Sequence, residues 1–407
     1  MIEPRLPSKA VKAIIEGRIR DHVFFPPNLL GVTSDRRKGE PQSPGELREI
    51  SKKVASRKGL ILNVSGFKSQ LEDQLREHVG GYVFALQRRD EVVCTGQNRY
   101  AMEPIDGEVE WSLSRRIHVA SVSKLITAIA LTRLLKARSL APDTPIVEYL
   151  PEYWSKGPNI EKVTFSHLMT HKSGFQFYPE NDRCDFLFMK DNVALGIDKQ
   201  KIGTYKYENI NFGLCRILIS VVAKQIVADL KFSDLSRVND RFWDVATFSI
   251  YEAHVQAEVF EPSNIEWAAI DHAPGDALAY DLPATNPGWN SGNLQQVSGA
   301  AGWHLSVNDL LRLMASLRRG GKILSSGGAQ KMLDDKFGID YKLLTDAGLL
   351  YAKDGLWRND EGQMEQCLVC FLPKDMEVAL LVNSPIRGDA ELELIHMVAR
   401  AYAANLN

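Results

Sequence analysis

Ser121-Val122-Ser123-Lys124, followed by Leu125-Ile126-Thr127-Ala128-Ile129-Ala130-Leu131-Thr132-Arg133-Leu134-Leu135, is the stretch that orders the rest of the chain. The apolar run predicts a helix, and residues three apart on a helix share a face. The spacing therefore lets the Ser121 hydroxyl meet the Lys124 amine, and it selects Ser121 over Ser123. A serine at a helix N-terminus also faces the positive end of the helix dipole, where a developing oxyanion is favoured. A hydroxyl is a weak nucleophile until a base lies within hydrogen-bond reach, and a desolvated lysine can be that base. Because S-x-x-K occurs by chance in many helices, the motif needs partners elsewhere.

The chain has 407 residues, 44% hydrophobic and 25% charged, with a net charge of −2. This is globular composition, long enough for two or three domains or for one large domain carrying an insertion. Without a long basic tract, nucleic-acid binding through a general electrostatic footprint is not expected. Met1 to Lys9 lacks an apolar segment of signal-peptide length and no run reaches membrane-span length, so a cytoplasmic chain without membrane attachment is expected. Cys94, Cys184, Cys215, Cys367 and Cys370 are odd in number and form no disulfide framework, which fits a reducing compartment. Cys367-Leu-Val-Cys370 lies in an apolar strand-like stretch whose residues three apart point to opposite faces. With no second pair to complete a zinc site, these cysteines read as structural.

Residues 1–66 read as an N-terminal extension: a helix over Ser8–Ile19, a polar loop over 35–45 and a basic helix near 45–57. A helix is expected over Lys68–His78, ended by Gly80-Gly81. Strands follow at Tyr82–Gln87 and Glu91–Thr95, joined by the charged turn Arg88-Arg89-Asp90. The C-terminal end mirrors this, with strands at Glu365–Leu372 and Glu377–Val382 and a closing helix from about Asp389 to Ala404. Strands at both ends and helices between them predict an α+β fold. Its antiparallel sheet is built from the two termini (67–119 and 336–404), and a large helical insertion spans 120–335.

Two further stretches can supply partners for Ser121. In Tyr205-Lys206-Tyr207-Glu208-Asn209-Ile210-Asn211 a polar loop runs into an apolar helix. Asn209 there is either a helix cap or a ligand for the lysine or a substrate amide. Tyr207 is a phenol that becomes a usable proton shuttle beside a positive charge. In Leu349-Leu350-Tyr351-Ala352-Lys353-Asp354-Gly355-Leu356 an apolar strand ends in a basic residue, and Gly355 permits close approach to the backbone. An edge strand there would offer N–H groups to a substrate. A surface turn with a solvated lysine is the plainer alternative.

Taken in this order, the three motifs resemble the serine β-lactamase and penicillin-binding-protein superfamily. Tyr207-Glu208-Asn209 points to its class C branch, which includes esterases, D-amino-acid peptidases and acyltransferases. Ser139–Pro151, Val163–Phe175 and Gly299–Leu310 resemble other stretches of that branch, and the resemblance runs over about 68–404. It implies a β-lactamase/transpeptidase-like fold. It also disposes of His167-Leu168-Met169-Thr170-His171 as a zinc helix, because Leu168 stands where the general-base Glu of such a motif belongs. Neither a metal nor a cofactor is implied.

What the resemblance implies is acyl transfer to and from Ser121. Lys124 and Tyr207 move the proton, and Asn209 and Lys353 contact substrate, with Lys353 attracting a carboxylate. The N–H groups of Ser121 and Leu356 hold the oxyanion beside Gly355. Asp354 departs from the Thr or Ser common in β-lactamases, removing a hydroxyl and adding a negative charge. The bulk of Leu356 favours small or apolar acyl groups, and Tyr178 and Trp357 are expected to line the pocket. The expected partner is a small ester or amide, turned over by an esterase-like hydrolase with weak β-lactam reactivity. A β-lactamase, a D-amino-acid peptidase or acyltransferase, and a non-catalytic binding protein remain the alternatives.

Overall fold

The computed structural model describes residues 60–175, 184–231, 233–319, 321–388 and 392–407. The expected helices over Ser8–Ile19 and 45–57, the loop over 35–45 and Tyr178 lie outside the described residues. In chain order come α1 (Val64–His78), β1 (Tyr82–Arg88), β2 (Glu91–Asn98), β3 (Tyr100–Met102), β4 (Val109–Glu110) and β5 (Ile117–His118). Helices α2 (Ser123–Ala137), α3 (Phe165–Met169), α4 (Phe186–Leu195), α5 (Ile210–Val222) and α6 (Ser236–Val255) follow. The chain closes with β6 (His304–Leu305), α7 (Val307–Arg318), α8 (Ser326–Asp334), β7 (Tyr341–Thr345), β8 (Gly348–Arg358), β9 (Met364–Leu372), β10 (Met376–Val382) and α9 (Leu394–Ala404).

The described residues cluster into two compact units. One, the sheet unit, comprises 60–125, 260–294 and 301–407; the other, the helical unit, comprises 126–259 and 295–300. Residues 260–294 and 301–335, counted above with the helical insertion, thus cluster with the sheet.

The sheet has six strands in the order β2-β1-β10-β9-β8-β7, every neighbouring pair antiparallel. Strands from both ends of the chain meet where β1 pairs with β10, Tyr82 opposite Val382 and Arg88 opposite Met376. The β1–β2 hairpin turns on Arg89 and Asp90, both with positive φ, the twist that a tight two-residue hairpin requires. Helix α1 begins at Val64 rather than Lys68, because the Asn63 side chain caps it by accepting the Gly66 N–H at 3.1 Å.

Strands buried along their whole length, such as β10, imply cover on both sheet faces. On one face Phe84, Leu86, Leu368, Cys370, Val378 and Leu380 pack with Phe67, Leu71 and Leu75 of α1 and Ile395, Val398 and Tyr402 of α9. Cys367 lies on the opposite face from Cys370. Both are fully buried and all five cysteines are free thiols, so the C-x-x-C spacing is a consequence of strand alternation. Across the other face runs α7. The Gln87 amide donates to the Leu311 carbonyl at 3.0 Å, and Arg318 donates to the Leu372 and Met376 carbonyls and pairs with buried Glu377. This packing explains why α7, helical in sequence pattern, belongs with the sheet.

In the helical unit α5 is buried along its whole length. Its Arg216, fully buried, donates to the Gln295 carbonyl at 2.9 Å and pairs with Asp244 at 3.1 Å, fixing the short 295–300 segment. Among the described residues no helix is long and apolar enough to cross a membrane.

Candidate active site

The surroundings of Ser121 begin with β5. After His118 the chain makes a 3-10 turn, Ala120–Val122, that runs directly into α2. Ser121 therefore sits in the tight turn rather than in the α-helix. In a 3-10 turn residues i and i+3 eclipse one another, which suits the Ser121–Lys124 contact. Lys124 Nζ donates to Ser121 Oγ at 2.9 Å, with Ser121 5% exposed and Lys124 fully buried. The competing hydroxyl is engaged elsewhere, since Ser123 Oγ accepts the Trp303 N–H at 3.3 Å. Ala120, immediately before Ser121, has φ of 47°, a left-handed conformation that an alanine adopts only under constraint from its surroundings.

The constraint comes from β8 and β9, against which the turn packs. A Cβ on Gly355 would lie 2.4 Å from the Val119 carbonyl oxygen and 2.9 Å from the Ser121 nitrogen. Gly355 was expected to admit substrate to the backbone. A side chain there would meet the turn that carries Ser121. A Gly355→Ala variant must push that turn away. Its expected cost is about 1–3 kcal/mol in stability and about 100-fold in kcat/KM, the effect of a misplacement near 1 Å. Unchanged ester kinetics in the folded variant would contradict this geometry.

The edge-strand expectation holds for half of β8. Pairing with β7 ends at Ala352, and residues 353–358 pair only with β9 among the described residues. Strand alternation places Lys353, Gly355 and Trp357 on the face carrying the Ser121 turn, and Asp354 and Leu356 on the other. Leu356 therefore offers that turn its backbone and not its bulk, which corrects the expectation that its side chain limits the acyl group. Trp357, expected to line the pocket, is 6% exposed and packs edge-on to the His118 ring at 5.5 Å. Lys353, expected to be solvated or to attract substrate, is 1% exposed and ion-paired with Asp340, itself 3% exposed.

Sequence reasoning missed a buried pair behind the turn. His118 Nδ1 and Glu365 Oε2 lie 2.7 Å apart, and His118 Nε2 accepts the Gly302 N–H at 3.0 Å. Because Nε2 accepts, the proton of a neutral ring sits on Nδ1 and is donated to Glu365. Three segments are joined in this way: the strand leading to Ser121, the 302–304 loop and β9. Burial, reinforced by the Lys124 charge, holds His118 down to about 3, so the ring stays neutral. Burial also pushes the Glu365 carboxyl up to about 7.

These shifts have opposite signs in stability. Glu365's stabilising contribution is fully present below its unfolded value of 4.5 and is lost as pH rises through about 7. The contribution of neutral His118 is present above 6.5 and is lost as pH falls towards about 3. Glu365→Gln keeps an acceptor for Nδ1–H but removes the alkaline-side loss. Between about pH 4.5 and about pH 8 the variant should gain up to about 3 kcal/mol relative to the parent. Urea unfolding at the two pH values measures this, and parallel curves would contradict it.

The helical unit holds Tyr207 and Asn209. Asn209 stands at the N-cap of α5 with helical φ and ψ, and its side chain makes no capping bond, so the cap alternative fails for it. The Tyr207 ring stacks on His171 with centroids 4.3 Å apart. His171 Nδ1 accepts the Glu208 N–H at 3.3 Å and lies 3.2 Å from the Asn211 amide, whose oxygen accepts from Ser173 Oγ at 2.6 Å. Together these bonds lock the backbone that carries Tyr207. His167 serves differently, in the capping box of α3, where its Nδ1 accepts the Thr164 N–H. His171 lies beyond the end of α3, so the zinc-like spacing does not fall on one helix.

The chain belongs to the beta-lactamase family, whose model matches residues 69–385, well over half of it. That family falls in the serine-hydrolase superfamily, and the fold is β-lactamase/transpeptidase-like. PbpX of Bacillus subtilis (strain 168), named as a penicillin-binding protein, is 22% identical over 70% of this chain and 66% of its own length. Esterase EstB of Burkholderia gladioli is 39% identical over 62 residues, 15% of this chain and 16% of EstB. The chain spans less than two thirds of the length of either relative. A class C beta-lactamase from Rhodobacter sphaeroides superposes with a TM-score of 0.59 at 16% identity, over 84% of this chain and 99% of that one. A likeness at that identity speaks to the fold alone.

Proposed function

We propose that the chain is an esterase-like serine hydrolase that forms an acyl-enzyme on Ser121. The observation that carries the proposal is the buried contact of 2.9 Å between Lys124 Nζ and Ser121 Oγ. Ser121 Oγ attacks the substrate carbonyl as its proton passes to Lys124 and Tyr207 and then to the leaving group, whose bond to the acyl carbon breaks. Water releases the acyl group by the reverse proton path. The N–H groups of Ser121 and Leu356 hold the oxyanion, an assignment supported by the approach of Gly355 to the Ser121 nitrogen. Tyr207 and Asn209, the latter as a ligand for lysine or substrate amide, are assigned by the motif they match.

An ester is preferred over a β-lactam because Lys353, the cation that would attract a β-lactam carboxylate, is buried in an ion pair with Asp340. The local match to EstB supports the same preference. A panel of p-nitrophenyl esters, D-peptides and β-lactams tests it, using the wild type and Ser121→Ala. Esters should be turned over fastest, and only by the wild type. Faster turnover of the β-lactams would overturn the ester preference.

A further inference from the structure

The Lys353–Asp340 pair bears on which substrates the site accepts. Asp340 precedes β7, and its N–H donates to the Ala352 carbonyl, which fixes the aspartate beside β8. Its carboxylate accepts a hydrogen bond from Lys353 Nζ. The two side chains are 1% and 3% exposed, so the contact is shielded from water and not a surface pair exchanging with solvent. A second carboxylate, that of Asp354, stands 3.8 Å from the same ammonium. One positive charge thus faces two negative ones. Lys353 lies on the same face of β8 as Gly355, the residue pressed against the nucleophile turn.

We infer that Asp340 is a specificity-determining residue: by neutralising Lys353 it fits the site to substrates with no carboxylate near the scissile bond. The inference rests on the hydrolase reading above and names its substrate class. A substrate carboxylate would have to displace Asp340 from a buried ammonium and approach Asp354, and both are like charges. A neutral ester meets no such opposition. The buried pair then holds the end of β8 in place instead of serving as an anion anchor.

Paired substrates test the inference: meta-carboxyphenyl butyrate and its ring methyl ester, in which a methyl cap removes the charge on the leaving-group ring. Release of the phenol gives kcat/KM for each, corrected for its rate of alkaline hydrolysis. The wild type should favour the methyl ester by about 10- to 100-fold, the range of one charge-assisted hydrogen bond. Asp340→Asn should shrink that ratio by about tenfold, and Asp354→Asn should shrink it less, in keeping with its longer separation. Circular dichroism melts establish that each variant is folded.

Equal use of the two esters by the wild type, or preference for the acid, would overturn the inference. So would a folded Asp340→Asn with an unchanged ratio. If Asp340→Asn fails to fold, the wild-type ratio and the Asp354→Asn shift decide. If neither ester acylates Ser121 the result is a different one: it overturns the hydrolase reading, and the substrate class falls with it.

Discussion

Ser121→Ala is expected to lower kcat/KM for activated esters by on the order of 10,000- to 1,000,000-fold, the range for loss of a catalytic nucleophile in a serine hydrolase. Such a loss requires that no other hydroxyl take over. The structure supplies the reason: Lys124 Nζ contacts Ser121 Oγ, whereas Ser123 Oγ accepts the Trp303 N–H. Stability should change little, because the alanine removes one oxygen from a site only 5% exposed and leaves no large cavity. Melting curves and steady-state kinetics on the same preparations separate the two effects.

Lys124→Met is expected to lower kcat/KM by about 100- to 10,000-fold, the usual worth of a positioned general base. Methionine has nearly the length of the lysine stem, fills the same buried space and carries no charge. The fully buried amine is replaced by an apolar group that needs no partner, so folding should survive. Loss of turnover in a folded Lys124→Met protein therefore reports on the proton path. Retained turnover would mean that another group removes the Ser121 proton. This variant also removes the charge that helps hold His118 neutral, so its pH profile should be read together with that of Glu365→Gln.

The elements legible in the sequence were those with local signals. The hairpin strands at both ends of the chain show apolar runs broken by short charged turns, and the structure pairs β1 with β10 to build one sheet from the two termini. The Ser121–Lys124 spacing was legible because a contact across three residues depends only on local backbone geometry. The start of α1 was missed although Asn63 is a readable cap. Helix α7 carried an ordinary amphipathic pattern, and nothing local says that its apolar face meets a sheet.

Long-range polar pairs were not legible. His118 and Glu365 are 247 residues apart, and each stands at the polar edge of an apolar stretch. Their only signal was that placement, since a charged residue inside a buried strand demands a partner. Lys353 and Asp340 are closer, 13 residues apart, yet the lysine read as solvated because its partner lies on the neighbouring strand's approach. Gly355 was singled out correctly as a point of close approach. The identity of what approaches, the Val119–Val122 backbone, follows only from the fold.

A nucleophilic Ser121 should react covalently with a fluorophosphonate, read by intact-mass spectrometry with peptide mapping. One adduct is expected, on Ser121, absent from Ser121→Ala. An adduct on Ser123, or one that persists in Ser121→Ala, would contradict that assignment, as would a wild type that takes up no label.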